Sequence, residues 1–205
     1  MAAASWREIQ TLCDEAVSFR TASVCVPPSY IKRIAGAYPG LNVCTVVGFP
    51  LGYCTSAAKI AETQAALADG AGEIDMVINL GDVKNGEYDK ITREIKTLKK
   101  LCGKKILKVI IETCYLTREE KKTLCTCVTV GGADYIKTST GFGTAGAVME
   151  DIRLFQRHIG PGVKIKAAGG IRTREDMVAF LQAGCDRLGT SSAVKILQGE
   201  AGTGY

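Results

Sequence analysis

Two hydrophobic periods alternate along the chain. Short stretches in which apolar side chains recur at every second position, or run on unbroken, lie at residues 22–26, 43–48, 73–79, 106–113, 133–137, 163–167 and 187–190 and read as β-strands. Between them, residues 55–68, 88–101, 118–130, 148–156 and 174–183 place apolar residues three or four apart, as an amphipathic helix does, and a further such stretch at 5–19 precedes the first strand. Strands alternating with helices of this length predict parallel βα units and an α/β fold. The architecture expected is a TIM (β/α)8 barrel that lacks its usual first β-strand, because the chain opens on a helix and shows seven strands. An open doubly wound sheet competes, but the glycine-rich dinucleotide turn it needs after an early strand is missing.

Successive side chains of a strand point to opposite faces, so the pattern also says which residues face inward. In the fourth strand Leu107, Val109 and Ile111 form one apolar face and leave Lys108, Ile110 and Glu112 on the other. In the third, Ile74, Met76 and Ile78 face the helices and Asp75, Val77 and Asn79 face the axis; in the sixth, Lys164 and Lys166 lie opposite Val163, Ile165 and Ala167. With Lys137 ending the fifth strand, four strands aim ionisable groups at one axis. Burying Lys108, Lys137, Lys166 and Lys164 together is costly without counter-charges, and Asp75 and Glu112 are the expected partners. For any one of these residues a structural ion pair explains the position as well as chemistry does.

Composition narrows the class. The 205 residues suffice for a single domain, 1–205, and 46% apolar with 23% charged residues fits a packed core rather than a disordered chain. Apolar runs such as 106–111 are interrupted by Lys108 and too short to cross a bilayer, so no membrane association is expected. No cationic stretch followed by a long apolar segment opens the chain, and a cytoplasmic location is expected. The nine cysteines are odd in number, and Cys25, Cys44, Cys102, Cys114 and Cys127 mostly sit inside apolar patterns, which predicts buried, reduced thiols. Cys125 and Cys127, in a helical stretch of a protein with one histidine, do not make a zinc pattern, and no metal is expected. The net charge of +5 suits an anionic partner, yet the lysines are spread rather than gathered with aromatics. That favours a small phosphorylated substrate over nucleic acid, and the lysines at 99, 100, 104 and 105 read as a solvated helix end.

Three segments carry candidate chemistry. GADYIKTSTGFGTAG, residues 132–146, ends a strand in Lys137 and runs into small and hydroxylated residues, which delivers an amine to the barrel mouth. VKIKAAGGIRT, 163–173, presents Lys166 and then Gly169 and Gly170, whose backbone can curl around an anion before a helix begins. RLGTSSAV, 187–194, sets Gly189, Ser191 and Ser192 at the start of the last helix. The loops after the last two strands of a barrel are a frequent phosphate site.

In order along the chain, ASVCVPPSY, TVVGFPLG, GEIDMVINLG, LKVIIETC, ADYIKTSTGFGT, KAAGGIRT and GTSSAV resemble the blocks of the deoxyribose-phosphate aldolase family, over about residues 12–194. The resemblance implies a class I aldehyde-lyase that needs no cofactor and reversibly cleaves 2-deoxy-D-ribose 5-phosphate to D-glyceraldehyde 3-phosphate and acetaldehyde. It implies that Lys137 is the Schiff-base lysine, Lys166 the second lysine of the site, Asp75 the acid working with it in proton movement, and Lys108 another site lysine. An amine that attacks an aldehyde near neutrality must lose its proton readily, a fall of roughly 3 units from the usual lysine value, and a neighbouring cation supplies that. Lys166 fits this role. The family's phosphate ligands map onto Gly169, Gly170, Gly189, Ser191 and Ser192, with Thr138, Ser139 and Gly141 nearby; backbone donors dominate such a site. Cys25 matches a substrate-proximal position, and Tyr205 ends the chain as does a tail tyrosine that assists enamine protonation in some members. Homodimers are expected, since barrels of this kind often pair symmetrically.

The resemblance departs at one place. Family members open with a strand containing Asp-His-Thr, whereas this chain opens MAAASWREIQ. A noncatalytic phosphosugar-binding or dimerising remnant, and a different barrel enzyme acting on phosphorylated sugars, are therefore the alternative readings.

Overall fold

The computed structural model describes residues 3–200. Helix α1 (Trp6–Ser18) comes first, followed by β1 (Val24–Val26), α2 (Ile31–Ala37), β2 (Val43–Val47), α3 (Ser56–Ala68), β3 (Glu73–Val77) and α4 (Leu80–Lys84). Then come α5 (Tyr88–Cys102), β4 (Ile106–Ile110), α6 (Arg118–Gly131), β5 (Tyr135–Lys137), α7 (Met149–His158), β6 (Lys164–Ala168), α8 (Arg174–Gln182), β7 (Arg187–Gly189) and α9 (Ala193–Leu197). Short 3-10 turns at Pro28–Tyr30 and Thr113–Tyr115 follow β1 and β4.

The seven strands form one parallel sheet in the order β1-β2-β3-β4-β5-β6-β7, each beside its neighbours in sequence. Flat, such a sheet would hold β3 and β7 roughly 19 Å apart at the usual strand spacing. Instead Arg187 on β7 donates to both oxygens of Glu73 on β3 at 2.9 Å, and approaches the Ser23 hydroxyl just before β1 at 3.4 Å. The sheet therefore curls into an incomplete barrel. Among the described residues β1 pairs only with β2 and β7 only with β6, as a barrel short of one strand requires.

The core lies between the outer face of this sheet and the helices. Val24, Val43, Val47, Ile74, Met76, Leu107, Val109, Ile136 and Ile165 of the strands pack against Ile9, Ile34, Ile95, Leu98, Leu124, Val128 and Phe155 of the helices. Helix α5 shows why the three-to-four spacing predicts it: Ile91, Ile95, Leu98 and Cys102 make one buried stripe. Reciprocal hydrogen bonds between the cap and the third residue of the helix start α1 (Ser5 with Glu8), α6 (Thr117 with Glu120) and α8 (Thr173 with Asp176). Gly132, at φ 76°, ends α6 in a conformation that other residues adopt only with strain.

Two helices escape the sequence pattern. α2 and α4 have seven and five residues, too few for a 3.6-residue period to show. The strand expected to run to residue 79 stops at Val77, and Asn79 caps α4 by accepting from the Gly81 amide at 2.9 Å. Among the described residues no helix is long and apolar enough to cross a membrane.

Candidate active site

Parallel register brings the ionisable residues together. Asp75 on β3 is the register partner of Lys108 on β4, and Lys137 on β5 that of Lys166 on β6. All four side chains are buried and meet inside the barrel. Lys108 Nζ donates to Asp75 Oδ1 at 2.7 Å, while Lys137 Nζ and Lys166 Nζ both donate to Asp75 Oδ2 at 2.8 Å. The sequence-predicted quartet is thus one hydrogen-bonded cluster centred on Asp75.

Burial opposes the charge on Asp75, but Lys137, Lys166 and Lys108 outweigh it and hold its carboxyl well below the usual range. Burial likewise works against charge on Lys166, and Asp75 with the Cys44 and Cys25 thiols overcomes it, leaving this ammonium harder to deprotonate than an ordinary lysine. Lys108 follows the same logic, with Asp75, Cys44 and Glu73 prevailing over burial and over Lys166. Lys166 is thus a fixed cation against the oxygen that also receives Lys137.

The second carboxylate of the interior is Glu73, which replaces the expected Glu112. Glu73 accepts from Lys108 Nζ at 2.5 Å, from Arg187, from the Ser23 hydroxyl at 3.0 Å and from Asn42 Nδ2 at 2.9 Å. It stands two residues before Asp75, so strand alternation puts both on one face; the signal was present in GEIDMV. Glu112 lies beyond the end of β4 at φ 52°, where alternation no longer holds. Its carboxylate turns to the loop after β5 and accepts from the amide and hydroxyl of Thr140. Lys164 is also corrected: it begins β6 at the opposite end of the barrel, exposed, with its Nζ 5.9 Å from the centre of the Tyr135 ring.

The residues expected to hold phosphate divide. Gly169 and Gly170 follow β6 with φ of 77° and 76°, a pair of left-handed residues that bares the chain between β6 and α8. Gly189 ends β7 beside Lys166, where an added Cβ would come within 3.2 Å of Lys166 Cε. Ser191 is exposed, whereas Ser192 is buried and caps α9, its amide donating to Thr190 Oγ1 at 3.1 Å. Gly141 adopts φ 95° in the loop after β5. The Ser139 hydroxyl, two residues beyond β5, is buried without a hydrogen-bond partner. The Thr138 hydroxyl is instead taken up between strands, accepting from the Ala168 amide at 3.0 Å and donating to its carbonyl at 3.1 Å. Phe142 from this loop meets Phe49 edge-on at 5.4 Å at the mouth.

Cys25 turns its sulfur toward the interior, but contrary to the burial expected from the pattern the residue is exposed, because β1 is an edge strand, and Cys114 is half-buried. Its sulfur, Cys44 Sγ and an Asp75 oxygen lie within 4.8 Å of one another, close enough to share a metal ion. Asp75 already serves three ammonium groups, so a dication there would have to displace them. Cys125 and Cys127 are buried in α6. Tyr205 lies outside the described residues.

Across residues 1–199 the chain matches the model of the DeoC/LacD family of aldolases. It belongs to that family. A protein from Clostridium botulinum strain Eklund 17B, named deoxyribose-phosphate aldolase, is 63% identical over 98% of this chain and 92% of its own length. A protein of the same name from Clostridioides difficile strain 630 is 54% identical over 100% of this chain and 94% of its own. The solved deoxyribose phosphate aldolase of Aeropyrum pernix, described as tetrameric, superposes with a TM-score of 0.87 at 32% identity, covering 97% of this chain and 85% of that one. The family's barrel is thus the frame that carries the Asp75 cluster.

Proposed function

We propose that this chain is a deoxyribose-phosphate aldolase that cleaves 2-deoxy-D-ribose 5-phosphate through an imine on Lys137. The observation that carries the mechanism is the sharing of one Asp75 oxygen by Lys137 and Lys166, both at 2.8 Å. Lys137 ends its strand at the mouth, where the aldehyde carbon of the open-chain sugar can reach it. The amine adds to that carbon and water leaves, which gives an iminium that withdraws electrons. The hydroxyl on the third carbon loses its proton, the bond between the second and third carbons breaks, and D-glyceraldehyde 3-phosphate departs. An enamine remains on Lys137; protonation at its terminal carbon and hydrolysis release acetaldehyde. We read Asp75 as the group that relays these protons, with Lys166 beside it as the cation on the shared oxygen, while Lys108 holds Asp75 from the other side.

The phosphate is assigned to Gly169, Gly170, Gly189, Ser191 and Ser192, with the Ser139 hydroxyl and Gly141 on the facing loop and Thr138 fixing the strand beneath. Near-full-length relatives named as aldolases and an intact lysine cluster argue against a noncatalytic remnant. We read residues 1–205 as one barrel unit, supported by a single sheet and one continuous core. We further propose a homodimer as the assembly unit, of which a tetramer like the one described for the Aeropyrum pernix protein would be a pair. The mostly buried free thiols support a reducing compartment, and we place the enzyme in the cytoplasm.

Borohydride reduction in the presence of acetaldehyde tests the mechanism, because reduction converts the iminium to a stable secondary amine. Peptide mapping is expected to find the added mass on Lys137. Labelling on Lys166, or on no lysine while turnover persists, overturns the assignment.

A further inference from the structure

Two thiols in the barrel interior make and break no bond in the proposed carbon chemistry. Cys25 on β1 and Cys44 on β2 are register partners on adjacent parallel strands, with sulfurs no more than 4.8 Å apart. Neighbouring strands lie about 4.8 Å apart, within the range of roughly 4.4–6.8 Å between Cα atoms that a disulfide spans. Among the described residues β1 has one hydrogen-bonded neighbour, so side-chain rotation together with a shift of this edge strand can bring the sulfurs to the roughly 2.05 Å of an S–S bond.

The two thiols are not equivalent. Cys25 is exposed, whereas Cys44 is wholly buried, with its S–H directed at Asp75 Oδ1 at 3.2 Å and its sulfur receiving Lys108 Nζ at 3.4 Å. The neighbouring Cys44 thiol, with the Lys137 and Lys166 ammonium groups, favours the Cys25 thiolate over the opposing effects of partial desolvation and Asp75, so this thiol is pulled down to about 6. Cys102, Cys125 and Cys185 are pushed by burial to about 11, about 12 and about 11, which makes them poor nucleophiles.

We propose that Cys25 and Cys44 form a reversible oxidation site, at which hydroperoxides oxidise Cys25 and Cys44 then closes an intramolecular disulfide. The Cys25 thiolate attacks one peroxide oxygen, the O–O bond breaks, and hydroxide leaves, so that sulfur carries a hydroxyl as sulfenic acid. The Cys44 sulfur then attacks Cys25 Sγ; the S–S bond forms, the S–O bond breaks, and the departing hydroxide takes the Cys44 proton as water, with Asp75 as the adjacent relay. A small external dithiol reverses the step and is itself oxidised. Strained, accessible disulfides are the readily reduced ones.

Oxidation removes the Cys44 donor from Asp75 and the thiol contact of Lys108, so it disturbs the carboxylate on which Lys137 and Lys166 meet. The coupling to turnover rests on the aldolase reading; the sulfur chemistry does not.

The test treats the reduced full-length chain with hydrogen peroxide and maps peptides without reduction. A Cys25–Cys44 disulfide is expected, with the loss of two hydrogens, an aldolase rate about tenfold lower, and recovery of both on adding dithiothreitol. Cys44→Ala should arrest at the sulfenic acid, so that dimedone labels Cys25 in the variant and little in the parent. Cys185→Ala should form the disulfide as the parent does. A Cys25 that stays reduced while other cysteines oxidise, a disulfide with another partner, or equal dimedone labelling of parent and Cys44→Ala overturns the proposal. A disulfide that leaves the rate unchanged overturns the coupling. A chain that forms the disulfide but is inactive even when reduced supports this site and counts against the aldolase reading instead.

Discussion

Replacing Asp75 by asparagine takes away the acceptor of three ammonium groups and leaves an amide that offers them one oxygen. In the parent, four cations, Lys108, Lys137, Lys166 and Arg187, face two carboxylates, Asp75 and Glu73. In the variant they face one. Each Asp75 contact, at 2.7 to 2.8 Å, is worth about 6 kcal/mol at an effective dielectric near 20 before desolvation is charged against it. Breaking such a buried set by removing one partner typically costs about 3–5 kcal/mol, and that is the loss expected at neutral pH. Part of the strain is relieved if a lysine sheds its proton on folding. The unfolded variant then binds more protons than the folded one, so its stability must rise with pH between about 6 and 9. The parent behaves oppositely: the folded values of Lys108 and Lys166 lie above the unfolded one, so their contribution is complete below about pH 10 and is lost only above it. Urea unfolding of both proteins at pH 6, 7.5 and 9 reads the slope directly, and turnover is expected to fall by about 10²–10⁴ in the variant. A destabilisation under about 1 kcal/mol with parallel pH profiles would show that Asp75 is not the electrostatic centre of the barrel.

Lys166→Leu is expected to lower turnover about a hundredfold and to move the pH dependence of borohydride-trappable adduct upward, since the cation beside the attacking amine is gone; an unchanged profile removes Lys166 from that role. Ser191→Glu puts a negative charge among the amides assigned to the phosphate, so kcat/KM for the phosphorylated sugar should drop about a hundredfold more than for deoxyribose itself; equal losses place the phosphate elsewhere. Glu73→Gln should cost about 3 kcal/mol in urea unfolding yet leave turnover within about tenfold of the parent, because Glu73 touches Lys108 and Arg187 but neither Lys137 nor Lys166; a turnover loss as large as that of Asp75→Asn refutes the division. For acid unfolding, both interior carboxyls are held below their unfolded values, so their stabilisation is present above about pH 4 and lost as pH falls through the lower folded values; a parent that loses stability already at about pH 6 contradicts this.

Much of the cluster was legible because a parallel strand in a barrel has only two faces. Lys108 and Asp75 fall on the inner one by simple alternation, and so does Lys166. The same rule carried one step back from Asp75 places Glu73 on the inner face as well, at the very start of β3. The rule failed where the strand stops: Glu112 is two residues past β4, in a left-handed conformation that alternation does not foresee. It also says nothing of height along the axis, and Lys164, though on the inner side by parity, stands exposed at the far end. The Cys25–Cys44 pairing needs the register of β1 on β2, a long-range fact that no local pattern contains. The short helices α2 and α4 were hidden by their length.

The two interior carboxylates divide the work of the barrel between them. Glu73 accepts from Lys108, Arg187, Ser23 and Asn42, so every lone pair it offers toward the interior is occupied by groups anchored on β1, β2, β4 or β7 or beside them. Asp75 is held on one oxygen by Lys108 and Cys44, while its other oxygen is shared by the two lysines nearest the mouth. On the proposed mechanism, imine formation converts Lys137 from a donor of several protons to a nitrogen bonded to carbon, so its contact with Asp75 must be remade during each turnover. Lys108 and Cys44 keep the carboxylate in place while that happens, and Lys166 remains on the same oxygen to take up the balance of charge. On that mechanism Asp75 can move protons only while its own position is fixed by groups that take no part in the carbon chemistry, and Lys108 on β4 and reduced Cys44 on β2 are those groups.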